Sequence, residues 1–396
     1  MFKPIGVQAR VRRTHEERVL AALRAHGAQS RLELSGRAGI SRTTLSEIVA
    51  ELLGRGAIRV VDTDAHDRTG SGRPAARLAL DPSSGQYLGI DFGHRRTSMV
   101  VVDASHEVIA SGVVRLDEAA DWSRRLESAL GLADDLAAST GVHYGALQAI
   151  AIGVPGWGGA GQADAAAAAL AEHFAAPVTV DNNVRFAALA EAAKSGPGGV
   201  PDLIYVRLSD GVGGGLVVDG RLVQGWARFA GELGHVTVDP AGVACRCGKH
   251  GCLETVASVP AVLTRCCGMG LAVNSLVELE KAIRASHPVA TEVLRDAGAS
   301  VGRVMGAAAM TLNPRELVIG GELAQMAPVL IDEVRATVQH ELSWQLDAAP
   351  TVRAARLGGE AGALGAVIAL LRESPLLANY PDAAAAPQVE QQRQRA

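Results

Sequence analysis

Apolar residues near the start of the chain recur at helical spacing in three short bursts. Val19, Leu20 and Leu23 form the first, over residues 14–26, behind a Thr14-His15-Glu16-Glu17 capping box. Ser30-Arg31-Leu32-Glu33 repeats that signature and opens a second helix, which Gly39 closes. Ile40 plugs the turn, and Ser41 caps a third helix with the apolar stripe Leu45, Ile48, Val49, Leu52 and Leu53. The opposite face offers Arg42, Thr43, Thr44, Ser46 and Glu47. The period then changes. Residues 57–61 read as a strand, 69–74 as a Gly-rich tip carrying Arg73, and 76–80 as the returning strand. Two short helices joined through Gly39-Ile40-Ser41 and followed by a hairpin make a winged helix-turn-helix pattern.

From Asp81-Pro82 onward the pattern is that of a different domain. Residues 87–93, 97–103 and 107–116 predict an antiparallel meander, followed by a helix at 121–139 and a buried strand at 149–153. Further strands are expected at 177–181, 203–207 and 216–218, with a tight Gly-rich turn at 211–215. Helical stretches at 257–270 and 276–310 precede a strand at 317–319. Strands alternating with helices predict an α/β class. The expected organisation is a domain at 1–80 and a body at 81–380 with two lobes, roughly 81–185 and 186–365, and a C-terminal helix. An Ala-, Pro- and Gln-rich tail at 381–396 is expected to be disordered.

Charge sharpens this division. Residues 1–80 hold 14 Lys and Arg against 8 Asp and Glu, a net +6, whereas the remainder holds 24 against 34, a net −10. A basic front on an acidic body predicts that only the front meets duplex DNA. Ser41, Arg42, Thr43, Thr44 and Ser46 are the expected DNA-reading or positioning residues, with Arg73 on the wing. A three-helix module for protein contacts is the competing reading of the same segment. No apolar run is long enough to span a membrane, and Met1-Phe2-Lys3-Pro4 lacks a signal-peptide core, so a cytoplasmic protein is expected.

Three of the five cysteines, Cys245, Cys247 and Cys252, fall within eight residues on Gly-rich turns, ten residues after His235. One imidazole and three thiolates at this spacing can close a tetrahedral zinc site. Four protein ligands mark a structural Zn2+ rather than a water-activating one. Reduced cysteines without metal are the alternative. Cys266 and Cys267, adjacent on a predicted helix, read as core residues.

The order of these motifs carries a resemblance. Gly89-Ile90-Asp91-Phe92-Gly93, Gly153-Val154-Pro155-Gly156, Val180-Asp181-Asn182-Asn183 and Gly211-Val212-Gly213-Gly214-Gly215 come first. Gly231-Glu232-Leu233-Gly234-His235, the cysteine block ending at Leu253-Glu254, and Asn313-Pro314 leading to Gly320-Gly321 complete it. The C-terminal four-fifths thus resembles the ROK family of repressors, open reading frames and kinases. The resemblance implies a two-lobed actin-like, sugar-kinase (ribonuclease H-like) fold and a homodimer or homotetramer. It also implies zinc on His235, Cys245, Cys247 and Cys252. Sugar-contacting positions carried over by motif are Asn182, Asn183, Glu232, His235 and Glu254.

Departures from the family pattern shape the functional expectation. In the family's kinases an Asp stands at the position of Asn183 and takes the proton of the sugar hydroxyl, which an amide cannot do. The kinase-type Asp-x-Gly-Gly-Thr loop is here Asp91-Phe92-Gly93-His94-Arg95, with a bulky ring where backbone must approach phosphate. The sugar-contacting stretch after Gly156 is shortened to Trp157-Gly158-Gly159-Ala160-Gly161-Gln162-Ala163-Asp164 followed by a poly-Ala helix. The expectation is a DNA-binding repressor of carbohydrate-related genes, answering to a sugar or sugar derivative and inactive as a kinase. An ATP-dependent hexose or N-acetylhexosamine kinase and a ligand-independent regulator remain the alternatives.

Overall fold

The computed structural model describes residues 15–373 apart from 17, 21, 24–25, 55–57, 64–75, 82–84, 104–106, 118–119, 143, 157–159, 195–198 and 344–348. The Thr14–Glu17 capping box, the tip bearing Arg73 and the 381–396 tail therefore lie outside the described residues. The described residues between 15 and 26 are helical, and β1 (Gln29–Ser30), α1 (Arg31–Ala38), α2 (Arg42–Gly54), β2 (Ile58–Thr63) and β3 (Ala76–Leu80) follow. Ser30 and Glu33 form the capping box read from the sequence, with Ser30 N–H donating to Glu33 Oε2 at 2.8 Å. Gly39 takes the left-handed conformation, φ 63°, that ends α1. The three helical segments bury Val19, Leu20, Leu23, Leu34, Leu45, Ile48, Val49 and Leu52 together with Ile58 and Leu78 of the small β1-β3-β2 sheet.

Two five-stranded sheets organise the body. The first, of order β6-β5-β4-β7-β8, comprises β4 (Gln86–Phe92), β5 (Arg96–Val102), β6 (Val108–Arg115), β7 (Leu147–Val154) and β8 (Val178–Asn182). The second, of order β11-β10-β9-β12-β13, comprises β9 (Leu203–Leu208), β10 (Val212–Val218), β11 (Arg221–Leu222), β12 (Glu316–Gly320) and β13 (Thr351–Ala354). In each, three antiparallel strands are followed by two that pair in parallel. The two lobes share one topology.

Helices α3 (Trp122–Thr140) and α4 (Ala160–Phe174) cover the first sheet, and α5 (Asn183–Lys194) follows β8. The second lobe adds α6 (Glu254–Ala257), α7 (Val259–Gly268), α8 (Leu276–Arg284), α9 (Pro288–Leu312), α10 (Glu322–Met326), α11 (Pro328–Glu341) and α12 (Ala361–Glu373). Helices α5 and α12 pack on each other between the sheets, α12 against β4, β5 and β7 and α5 against β9 and β10. Glycines permit that closeness: a Cβ at Gly365 would stand 1.7 Å from the Phe186 carbonyl oxygen.

Several expectations are corrected. Gly213, Gly214 and Gly215 are not a turn but the middle of β10, paired with Arg207, Val206 and Tyr205. They are glycine because α5 lies against them; a Cβ at Gly215 would meet Ala188 Cβ at 2.6 Å. The long helix at 276–310 is broken, with Ser286 at φ 51° and Pro288 opening α9. Cys266 is buried as expected, but Cys267 is exposed, its thiol donating to the Val273 carbonyl. No helix among the described residues is long and apolar enough to cross a membrane.

Candidate functional site

His235 ends a short 3-10 turn, Leu233–His235, and faces the loop carrying the three cysteines. Bridges between Thr237 and Cys252 and between Ala244 and His250 fold that loop back on itself. Gly251, at φ 60°, admits no other residue, since a Cβ there would fall 1.4 Å from the Asp239 carbonyl oxygen. The result brings one ligand atom each from His235, Cys245, Cys247 and Cys252 within 4.8 Å of one another. Cys245 Sγ lies 3.6 Å from His235 Nδ1, and Cys247 Sγ lies 3.6 Å from Cys252 Sγ. A tetrahedral zinc with Zn–S bonds of about 2.3 Å sets neighbouring donors about 3.7 Å apart, so the donor set fits that ion in both chemistry and spacing. Burial, with hydrogen bonds from Cys247 and Cys245, pushes the Cys252 thiol up to about 12, so its thiolate calls for a cation beside it.

The carried-over sugar positions fall on the wall between the lobes or just behind it. Asn182, Asn183, Glu232 and His235 line a cavity of about 50 Å³ with His94, Arg207 and Arg246, and Glu254 lies behind Arg246. Their polar atoms are largely engaged within the protein. Asn182 Oδ1 accepts from Val184 N–H at 2.7 Å and caps α5. Asn183 is fully buried, its Nδ2 donating to Asp91 Oδ1 at 2.8 Å and its Oδ1 accepting from Arg207 at 2.8 Å. Glu232 pairs with Arg185 at 3.2 Å. Glu254 accepts from Arg246 at 2.7 Å and from Val212 N–H at 3.1 Å, and its other oxygen lies 4.0 Å from Cys245 Sγ.

Asn183 therefore bridges the two lobes, linking Asp91 at the end of β4 to Arg207 in β9. Burial raises the Asp91 carboxyl above the usual carboxylate range, against the opposing pull of Arg207 and the Asn183 amide. A second link is the ion pair of Arg95 with Asp210, at 3.1 Å, between the β4–β5 and β9–β10 turns. Arg125 shapes the first of those turns, donating to the carbonyls of Gly93, His94 and Ala120. Desolvation lowers the His94 pKa below the usual imidazole range, against the opposing pull of Asp210.

Sequence reading missed Arg207, Arg185 and the pairing of Arg246. The available signal was an arginine inside the apolar run Leu203-Ile204-Tyr205-Val206-Arg207-Leu208, because a charge in a buried strand needs a partner.

At the other end of the chain, Ser41, Arg42, Thr43 and Ser46 are exposed along the first turns of α2. Thr44 is half-buried; its hydroxyl lies 2.8 Å from Ser41 Oγ, which also caps its N–H. Ser46 Oγ donates to the Arg42 carbonyl at 2.9 Å, leaving Arg42 and Thr43 as the freest groups on that face.

Comparison with known proteins agrees with this architecture. The DNA-binding transcriptional dual regulator NagC of Escherichia coli is 26% identical over 361 residues, covering 84% of this chain and 86% of NagC. The crystal structure of a ROK family transcriptional regulator, a homolog of the E. coli Mlc protein, superposes with a TM-score of 0.73 at 23% identity, covering 93% of this chain and 98% of that one. A ROK hexokinase from Thermus thermophilus superposes at 0.64 with 30% identity, covering 73% of this chain and all of its own. The hexokinase thus matches a share about the size of the body, and the regulator match reaches beyond it. The ROK family model matches residues 87–373, and the chain belongs to the ROK family.

Proposed function

We propose that this protein is a DNA-binding transcriptional regulator, a repressor of carbohydrate-related genes, whose body senses a sugar or sugar derivative. The observation that carries the reading is the amide of Asn183, held between Asp91 and Arg207 where the family's kinases need a proton-accepting carboxylate. A body unable to take the hydroxyl proton can still bind a ligand and move its lobes. The basic unit at 1–80 would then be the winged helix-turn-helix that reports the movement, with α2 in a major groove and Arg42 and Thr43 toward the bases. Two copies in a homodimer or homotetramer would read a palindromic operator.

His235, Cys245, Cys247 and Cys252 would hold Zn2+. The ion would supply a cross-link that fixes the loop between Glu232 and Glu254, with no coordination position left for water. The hexokinase likeness keeps one competing reading in play, an ATP-dependent hexose kinase, and ADP release with common hexoses and N-acetylhexosamines separates the two.

The main test selects duplexes from a random-sequence library with the full-length, zinc-replete protein and follows their affinity by fluorescence anisotropy. Enriched duplexes should lose affinity steeply with salt, and a sugar or sugar derivative should shift that affinity. Failure to enrich any duplex, or turnover of ATP with a hexose, overturns the proposal.

A further inference from the structure

Behind β8 lies a second cavity, of about 830 Å³, that shares no lining residue with the interlobe cavity. Side chains alternate along a strand, and so do these walls: Asp181 lines the second cavity and its neighbour Asn182 lines the first. The volume falls within the range of about 300–1,000 Å³ that takes a whole small molecule. Two chemistries meet on its wall. Phe186 and Leu189 of α5, with Ala369 and Leu370 of α12, give it an apolar floor. Arg221 of β11, Arg228 of the loop that follows and Arg372 near the end of α12 bring three guanidinium groups to it. Of the two carboxylates on the wall, Asp181 is buried and already holds Arg185 at 3.1 Å, Arg228 at 3.1 Å and Gln224 at 2.6 Å. Asp219, two residues before Arg221 in the hairpin turn, forms no ion pair with it. Arg221 has no hydrogen bond or ion pair among the described residues, so its five N–H donors are available.

We infer that this cavity is a second ligand site, for a small amphipathic anion. An alkyl or aryl body rests on the floor of Phe186 and Leu370, and a carboxylate or phosphate group meets Arg221. Each requirement comes from a different part of the wall. Removing an apolar body from water supplies affinity without direction. The planar guanidinium fork matches two oxygens of the anion and discriminates against a neutral hydroxyl. A free hexose has neither the apolar body nor the charge, so this is not a further part of the interlobe site. The inference stands independently of the sugar reading of that cleft.

Fluorescence titration of the full-length, zinc-replete protein with anilinonaphthalene sulfonate, an aromatic anion, tests this. Octanoate, octanol, phenyl phosphate and inorganic phosphate then compete with the probe. One probe should bind per chain. Octanoate or phenyl phosphate should displace it at least about tenfold more effectively than octanol or inorganic phosphate, and the stronger of the two identifies the anion read. Thr179→Trp fills the cavity from an exposed position on β8 and should weaken the probe at least about tenfold. Arg221→Gln keeps the floor and removes the charge, and should bring octanoate and octanol to within about twofold of each other. Melting curves without ligand establish that both variants are folded. Absence of probe binding, or binding that neither substitution changes, overturns the inference by removing the ligand from this cavity. Octanol competing as well as octanoate overturns the anionic requirement, and inorganic phosphate competing as well as phenyl phosphate overturns the apolar one.

Discussion

The cysteine–histidine cluster and the interlobe cleft draw on the same stretch of chain, residues 231–254, yet they dispose of their polar atoms in opposite ways. In the cluster four donors converge on one point, with spacing that fits one ion. In the cleft the polar groups turn to each other across the lobes, Asn183 to Asp91 and Arg207, Arg95 to Asp210. A site complete once its ion is bound has one geometry and gives rigidity. A site satisfied by partners on two separable lobes can trade those partners for a ligand. The loop at 231–254 thus carries the cluster on one side and part of the cleft wall on the other, and Glu254 and Arg246 are where the two touch.

The comparison breaks most visibly if the cluster is disabled. Replacing Cys245 with Ser, or removing metal with a chelator, should lower Tm by about 10 °C or more, with zinc content falling from one ion per chain. A chain that melts unchanged after chelation is held by packing alone, and the rigid half of the comparison is lost.

The next largest effect probes the cleft. Asn183→Asp would put a second carboxylate 2.8 Å from Asp91, and two such groups cannot both ionise. Asp91 is already raised by burial, so one of the pair would hold its proton well above its unfolded value. The folded state then binds more protons than the unfolded state, and stability is greatest at low pH and declines as pH rises through that window. The variant should lose about 1–3 kcal/mol at pH 8 and much less at pH 5, read by denaturant unfolding at both values. A pH-independent loss would mean that Arg207 neutralises the new carboxylate fully, which would make the cleft as self-contained as the cluster.

What the sequence disclosed follows from the same contrast. Short-range signals carried the N-terminal unit, because Ser30, Glu33 and Gly39 encode the bounds of α1 locally. The cluster was legible because its four ligands lie between residues 235 and 252, and the ROK body because its glycine motifs keep their order. Helix α5 was invisible: Asn183 through Ala192 are all buried, so no polar face gives it a period. The same burial hid β10, whose glycines mimic a turn but exist to let α5 approach. Arg207, Asn183 and Asp91 lie far apart in sequence, and only the packing of α5 between the sheets brings them together.

A smaller effect sharpens the boundary between the two sites. Arg246→Ala removes the cation from Glu254, a buried carboxylate, while leaving its bond from Val212 N–H. The guanidinium is about half exposed, so the expected cost is about 1 kcal/mol after allowing for solvent screening. Zinc content should not change, because Arg246 is not itself a donor. Loss of zinc from this variant would show that cluster and cleft are one unit.

The smallest effect concerns the Arg95–Asp210 pair. Arg95→Ala breaks a cross-lobe pair whose arginine is about half exposed, so stability should change by about 0.5 kcal/mol or less. Its consequence belongs to motion rather than to stability. With the Arg95–Asp210 pair removed and the Asn183 bridge intact, the lobes should part more readily, and a ligand that needs the open cleft should associate faster by stopped-flow at unchanged Tm. The Coulomb term is screened, so the difference from wild type should shrink as salt rises. Identical association rates at low salt would assign the closure to the remaining cross-lobe contacts, the Asn183–Arg207 bond and the bonds of Gln224 and Arg228 to Asp181 among them.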